Sequence, residues 1–463
     1  MSRHMANNRE IFEDYSISKA LATLAIPTII GQLIVLVYSL ADTFFIGRTN
    51  NPLMVAGVSL ILPVFNISIS LANLVGVGGG TLISRLLGVG RGEAARRVSS
   101  FSVAFSVSIA ALFAVGMAVF MDPALRLLGA SADTLAYARQ YSFCVIVAGT
   151  VPTVLSLTLS HLLRSVGCAK QAGFGISMGG LVNIVLDPLF MFVLLPPGLE
   201  AVGAGVATML SNVLVCVYFL WTIYRIRNET SLSLSPFAGL PGAADIRSIF
   251  SVGVPAALTT LLFDVAYIVI DKLATGYGDI PLAAVGIVLK AERLPLNVGI
   301  GICQGMVPLA AYNYSAGNLA RMRGTVRFSR WLGLVVGLGS VLMYELLAPG
   351  ILRLFIADTE TVELGTNFLR IRCIATPLMF LCFHLVHLFQ ALGQGGKALL
   401  LGVVRWAVFN IPMLFLLNAL MGMYGIVWTQ SIADAFTVAF SFWVYHRFER
   451  TLAEGVQPVP RAI

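Results

Sequence analysis

The 463-residue sequence predicts an all-α polytopic membrane protein, with twelve transmembrane helices in two six-helix lobes. Three observations carry this. Only 11% of residues are charged and 58% are hydrophobic, where a soluble chain carries about 25% charged residues. The apolar runs reach lengths at which a helix crosses a hydrocarbon core about 30 Å thick. The pattern of runs also occurs twice, at a nearly constant offset. The ten-residue alternating strands of a membrane barrel are absent.

Polar residues or Gly/Pro punctuation bound each span in turn. The first six are 17–46, 53–83, 98–121, 134–161, 171–195 and 203–224. The second six are 248–275, 282–311, 328–347, 361–391, 398–419 and 424–445. The stretch before them, MSRHMANNREIFEDYSISKA, is polar and lacks the apolar region and small-residue cleavage site of a signal peptide.

The connections alternate in charge. One side carries Arg3, Arg9 and Lys19, then Arg85, Arg91, Arg96 and Arg97, and then Arg164 and Lys170. Arg225, Arg227, Arg247, Arg321, Arg323, Arg327, Arg330, Lys397, Arg447, Arg450 and Arg461 follow on the same side. The other side has Arg48, Arg126 and Arg353. The positive-inside rule then puts both termini in the cytoplasm, in a multi-pass protein of the cell (inner) membrane. The net charge of +8 is thereby a matter of topology and not of nucleic-acid binding.

The repeat is legible residue by residue. AIPTIIGQLIVLVYSLAD (25–42) matches GVPAALTTLLFDVAYIVID (253–271), each running from proline to an aspartate preceded four residues earlier by tyrosine. PLMVAGVSL (52–60) matches PLAAVGIVL (281–289), ALRLLGA (124–130) matches ILRLFIA (351–357), and Asn183-Ile184 matches Asn410-Ile411. The offset stays between 227 and 229. The expected division is an N-terminal lobe, 1–230, and a C-terminal lobe, 231–463, joined by the polar stretch 227–245. Six is even, so the lobes share one orientation, about a pseudo-two-fold along the membrane normal. Parallel repeats of this kind hold substrate between the halves and rock one against the other, which points to a transporter.

Several spans carry polar groups that lipid does not tolerate cheaply. Asp42 ends the first apolar run, and a carboxylate there costs about 2.5–3.5 kcal/mol on insertion scales. Tyr38 lies on its helix face, and Pro27 lies upstream as a kink candidate. In span five Asn183 and Asp187 are four apart on one face, with Pro188 next. In span six Thr208 and Asn212 share a face, and Gly203 and Gly205 admit a close neighbour. Two carboxylates, an amide and a hydroxyl are hard oxygen donors, suited to a proton or a small alkali cation. Two carboxylates close together in low dielectric do not both ionise easily, which is the chemistry of a proton carrier. Independent capping or helix bridging is the plainer account of a lone Asn or Thr.

The second half holds Asp264, Asp271, Lys272, Lys290, Glu292 and Arg293, three acids and three bases. They read either as a mutually neutralising ion-pair network or as secondary substrate or gating residues. Arg139, Arg370, Arg372 and Arg405 are expected to snorkel or pair. Asp434 is a weaker cavity-lining candidate, and His384 and His387 read as helix-bridging rather than metal-binding. The six cysteines have no metal-motif spacing and read as small packing residues. GVGGGTLISRLLG (76–88) lacks the GK[ST] of a phosphate loop and follows no strand.

Over nearly its full length the chain resembles the multidrug and toxic compound extrusion (MATE) transporters. PTIIGQLIVLVYSLADTFFIG, GGGTLISRLLGVGRGEAARR and NIVLDPLFMF carry the resemblance, the last being most similar to the prokaryotic branch related to DNA-damage-inducible protein F. The resemblance implies a V-shaped pair of lobes that exports cationic or amphipathic organic compounds against inward flow of H+ or Na+. It also implies that Asp42, Asn183, Asp187 and Thr208 form the coupling site, with Tyr38 beside them. No cofactor, catalytic residue or other metal is expected, and Na+ would bind at that same site. The working unit is expected to be a monomer with small organic substrates, in contact with the lipid bilayer and not with nucleic acid. The alternatives are a lipid-linked or polysaccharide flippase, or another secondary transporter of twelve helices. An embedded enzyme is disfavoured by the lack of an HExxH motif, nucleophile elbow or metal-spaced acid cluster.

Overall fold

The computed structural model describes residues 10–235 and 239–454. Arg3, Arg9 and Arg461, and the N-terminal stretch before Glu10, lie outside the described residues. The first half contains α1 (Ile17–Gly47), α2 (Pro52–Ser59), α3 (Leu62–Gly88), α4 (Gly92–Val119), the short α5 (Met121–Leu127), α6 (Leu135–Ser142), α7 (Thr150–Ser165), α8 (Ala169–Leu189) and α9 (Glu200–Ile226). The second half contains α10 (Ala243–Thr275), α11 (Asp279–Ser315), α12 (Leu319–Phe355), α13 (Thr359–Cys373), α14 (Thr376–Ala391), α15 (Gly395–Val403), α16 (Ile411–Met421) and α17 (Met423–Ala453). Helix pairs α2/α3, α6/α7, α13/α14 and α15/α16 are each one span, so the chain crosses twelve times.

Among the described residues, nine spans are long and apolar enough to cross a membrane as they stand. Two more are bent pairs, α6/α7 at 47° and α13/α14 at 46°. Each is the fourth span of its half, so the repeat extends to a broken helix, at two spans whose length in the sequence exceeds 25 residues. The causes are local. A side chain at Gly149 would meet Val145 O at 2.5 Å, and Pro377 opens α14 without an N–H to donate. The twelfth span is α17, whose hydropathy is diluted by Gln430 and Asp434, both buried in protein rather than facing lipid.

The repeat is also written in the backbone. Gly90 and Gly317 end the second span of each half with φ of +76° and +77°, and Gly167 and Gly393 end the fourth with +87° and +73°. A residue with no Cβ adopts this left-handed turn at no steric cost and closes the helix. At the opposite end Asn51 caps α2 by accepting from the Leu53 and Met54 N–H groups, with Pro52 at the first helical position. The outward faces of α4 and α12 carry Leu112, Val115 and Val119, and Leu338, Leu342 and Leu346, each 61–69% exposed. Lipid covers such a surface at no cost. All six cysteines are buried and free.

The halves meet mainly at the end that carries the basic connections. There glycines let backbones approach. A Cβ on Gly253 of α10 would sit 1.7 Å from Leu74 O of α3, and one on Gly305 of α11 would meet Ala25 of α1 at 2.7 Å. Arg85 Nη2 donates to Ser248 Oγ at 3.0 Å, and Gln32 Nε2 to Gln304 Oε1 at 3.3 Å. The segment before α1 straps the first half to the second. Phe12 stacks on Tyr312, and Arg321 donates to the carbonyls of Phe12 and Tyr15 at 2.7 and 2.6 Å. The connection between the halves is pinned where Ser99 Oγ donates to Ser233 O and accepts from the Ser233 N–H, both at 3.2 Å.

Candidate functional site

Close packing of α1 on α8 builds the first wall of the site. A Cβ on Gly173 would lie 2.3 Å from Pro27 O, and one on Gly180 would lie 2.7 Å from Ile34 and 3.1 Å from the Tyr38 ring. These glycines bring the Asp42 face of α1 against the Asn183–Asp187 face of α8. Helix α1 runs unbroken through Pro27, so the proline serves here as a packing surface within a continuous helix. On the other side of α8, Gly203 and Gly205 of α9 receive Met191 and Cys144, as the spacing predicted.

Asn183 is 2% exposed and Asp187 fully buried. Asn183 Nδ2 lies 3.3 Å from Asp187 Oδ1 and 3.5 Å from Thr208 Oγ1, and Asn212 Nδ2 donates to Thr208 O at 3.1 Å. Tyr38 is within electrostatic reach of both Asp42 and Asp187, and Asp42 is within reach of Asp187. The four coupling candidates and Tyr38 therefore gather in one place from three helices.

Their oxygens are incompletely satisfied. Asp42 Oδ1, Asp187 Oδ2 and Asn183 Oδ1 are buried without a hydrogen-bond partner. No arginine or lysine pairs with either acid among the described residues. A buried carboxylate with no cation is expensive, so the arrangement is suited to acquiring one. Pro188 has no N–H, and beyond it the ladder lapses into a π-helical turn, Phe190–Leu194.

Tyr141 belongs to this cluster and sequence reasoning missed it. It is 5% exposed on α6 and lies within electrostatic reach of Thr208, Asp42, Asp187 and Tyr38. A tyrosine in an apolar span is common, and helical spacing does not tell which neighbour it faces.

Beside the cluster a cavity of about 450 Å³ lies between the halves. Tyr38, Asn183, Thr208 and Asn212 line it from the first half, and Asp264, Arg293, Asn297 and Gln304 from the second. Phe65, Phe263 and Phe383 supply apolar wall. A larger hollow of about 660 Å³ lies at the periphery by the exposed Asp122–Arg139 pair and touches none of the acids of the cluster.

The second-half residues do not form the single network that was one expectation. No ion pair joins Asp264, Asp271, Lys272, Lys290, Glu292 and Arg293 to one another among the described residues. Neighbours one or two apart on a helix point different ways. Asp264 instead accepts from Asn66 Nδ2 across the halves at 2.9 Å, while Asp271, Lys272 and Lys290 are exposed. Glu292 turns to Arg372 at 2.8 Å, both 2% exposed. Asp434 does not line the cavity. It is fully buried as the bidentate partner of Arg405, at 2.8 and 3.0 Å, and accepts from Gln430 at 2.7 Å. Arg139 pairs with Asp122 and Arg370 with Glu345, so all four arginines pair. His384 Nε2 meets Ser329 Oγ at 2.9 Å, bridging helices, while His387 bonds its own helix at Phe383 O and faces the cavity.

Comparison with known proteins agrees with this architecture. The family model described as MatE matches residues 27–189 and again 255–416, at the spacing of the internal repeat. The chain is 32% identical to multidrug export protein MepA of Staphylococcus haemolyticus over 95% of its length and 96% of that protein. It is 30% identical to MepA of Staphylococcus aureus, covering 92% of each. Among solved structures, an outward-facing multidrug resistance MATE transporter of the MOP superfamily superposes with a TM-score of 0.90 at 23% identity, over 98% of this chain and 99% of that one. A MATE in complex with MaL6 gives 0.89 at 23%, over 97% and 100%. These matches do not separate the branches of the family, and the narrower likeness to the branch related to DNA-damage-inducible protein F stays an expectation. With the twelve spans, the doubled half and two independent matches, this chain is a multi-pass membrane protein that belongs to the MATE family of transporters.

Proposed function

We propose that the protein exports small amphipathic organic compounds, cationic ones among them, in exchange for H+ or Na+. Asp42, Asn183, Asp187 and Thr208 are the coupling site in this reading, and Tyr38, Asn212 and Pro27 support it. One observation carries the proposal: two acids without a basic partner, with unsatisfied oxygens, stand beside a cavity between the halves. A fixed ion pair has no use for a travelling cation, whereas this cluster does.

The orientation follows from the charges. With the basic connections in the cytoplasm, the tightly packed end is the cytoplasmic end, both described chain ends lie inside, and the protein faces outward. The bodies that move are the lobes 1–230 and 231–463. In the outward-facing state, H+ or Na+ reaches Asp42 and Asp187. Neutralising them removes the repulsion between the acids, lets α1 repack on α8 about the Pro27–Gly173 contact, and releases substrate. Return to the inward-facing state delivers the cation to the cytoplasm. Asp264 acts in gating, because its bond to Asn66 spans the halves and must break when they separate. The working unit in this reading is a monomer.

The test is dye efflux from proteoliposomes under an imposed pH gradient and, separately, an imposed Na+ gradient. One gradient should drive efflux in the wild type and fail to do so in Asp42→Asn and Asp187→Asn. Full gradient-driven efflux in both variants at normal protein level would overturn the assignment.

A further inference from the structure

By sequence, Arg164 belongs with the loop charges of the basic end. The structure keeps it at that end but turns it inward. It is 8% exposed, near the end of α7, and lines the central cavity. Its Nε is buried with no hydrogen-bond partner, and among the described residues no ion pair joins it to a carboxylate. This sets it apart from the other well-buried arginines. Arg372 has Glu292, and Arg405 has Asp434. A buried guanidinium left alone is costly, and it presents a donor fork shaped for an oxyanion.

The surroundings add donors of the same kind. Ser160 lies one turn before Arg164 on the same face of α7, and its Oγ also is buried without a partner. His161 lies within electrostatic reach of Arg164 and of His387, which comes from α14 in the other half. Gln390, one turn beyond His387, completes the wall. The only acid among the described residues lining the cavity is Asp264, and it is engaged by Asn66 and faces Arg293. This end of the cavity therefore offers hydrogen-bond donors and positive charge and no competing carboxylate.

We propose that Ser160, His161, Arg164, His387 and Gln390 form an oxyanion subsite at the cytoplasmic end of the cavity. Its ligand is the carboxylate, or a like anionic group, of an amphipathic substrate. The ligand spans both halves, so it is held only while the halves are closed at this end. The proposal rests on the export reading and names a zwitterionic substrate class for it.

Rhodamine B, which carries a free carboxylate, and its ethyl ester, which does not, are matched probes. Binding to purified protein in neutral detergent is read by fluorescence polarisation, and transport in phosphatidylcholine vesicles by gradient-driven efflux. Arg164→Gln should weaken binding of the acid dye about tenfold, the effect of one lost charged hydrogen bond, and that of the ester less than twofold. Arg164→Lys should recover part of the loss, and Ser160→Ala should lower acid-dye binding alone. Equal losses for both dyes, or no loss in folded protein, would overturn the subsite. If Arg164→Gln does not fold, the acid-versus-ester difference in Ser160→Ala decides in its place. Adding anionic phosphatidylglycerol provides a further arm. If it displaces the acid dye from wild type but not from Arg164→Lys, the subsite belongs to a lipid phosphate and the substrate assignment is wrong. If neither dye is exported but the binding difference persists, the export reading fails and the subsite stands.

Discussion

Asn183 and Asn410 occupy equivalent positions in the repeat, yet their surroundings have opposite characters. Asn183 is shared between Asp187 and Thr208, and three oxygens of its cluster remain unsatisfied. Asn410 donates to Gln430, Gln430 to Asp434, and Asp434 takes both arms of Arg405. Glu292 and Arg372 close a second buried pair nearby. The buried acids Asp434 and Glu292 of the second half are thus neutralised by guanidinium groups, while Asp42 and Asp187 of the first have only amides and hydroxyls near them. A carboxylate bound to arginine is a structural charge. A carboxylate among neutral donors is free to exchange a cation. The lesson is that span position does not separate an acid without a basic partner from a scaffold acid, while the partner does.

The contrast breaks most readily at the scaffold acids. Glu292→Ala leaves Arg372 buried and unpaired, and should destabilise the protein by about 3–5 kcal/mol, read as a fall in the thermal or denaturant midpoint in detergent. Asp187→Asn should leave that midpoint within about 1 kcal/mol of wild type while taking gradient-driven efflux to the level of empty vesicles. A melt for Asp187→Asn as poor as that for Glu292→Ala would mean that both halves use their acids structurally. Next comes the packing that assembles the N-terminal cluster. Gly173→Ala puts a methyl 2.3 Å from Pro27 O, where backbone has to move, and should cost about 1–3 kcal/mol with reduced efflux. The smallest effect is expected at the exposed Arg139–Asp122 pair, whose side chains are 53% and 43% exposed. Arg139→Gln should change the midpoint by less than about 1 kcal/mol and leave efflux unchanged.

Much of the N-terminal cluster is legible along the chain. Asp42, Asn183, Asp187 and Thr208 stand out because polar groups are conspicuous in apolar spans, and four-residue spacing puts them on shared faces. The repeat offset foretells the doubled family match. The partners are not legible. Glu292 groups with its chain neighbours by sequence, and its ion pair lies 80 residues away. Tyr141 gives no signal, and Arg164 looks like any loop arginine.

By itself, then, the sequence determined the number of spans, the duplicated half, the common orientation of the two halves and the acids of the N-terminal cluster. Hydropathy, charge placement and helical period are local quantities, read along one chain. Only the tertiary structure decided which acids found arginines, that Arg164 was left buried beside the cavity without an acid, and where the fourth and tenth spans break. Those outcomes depend on how each helix is rotated and how closely glycine lets it approach its neighbours, and no single span carries that information.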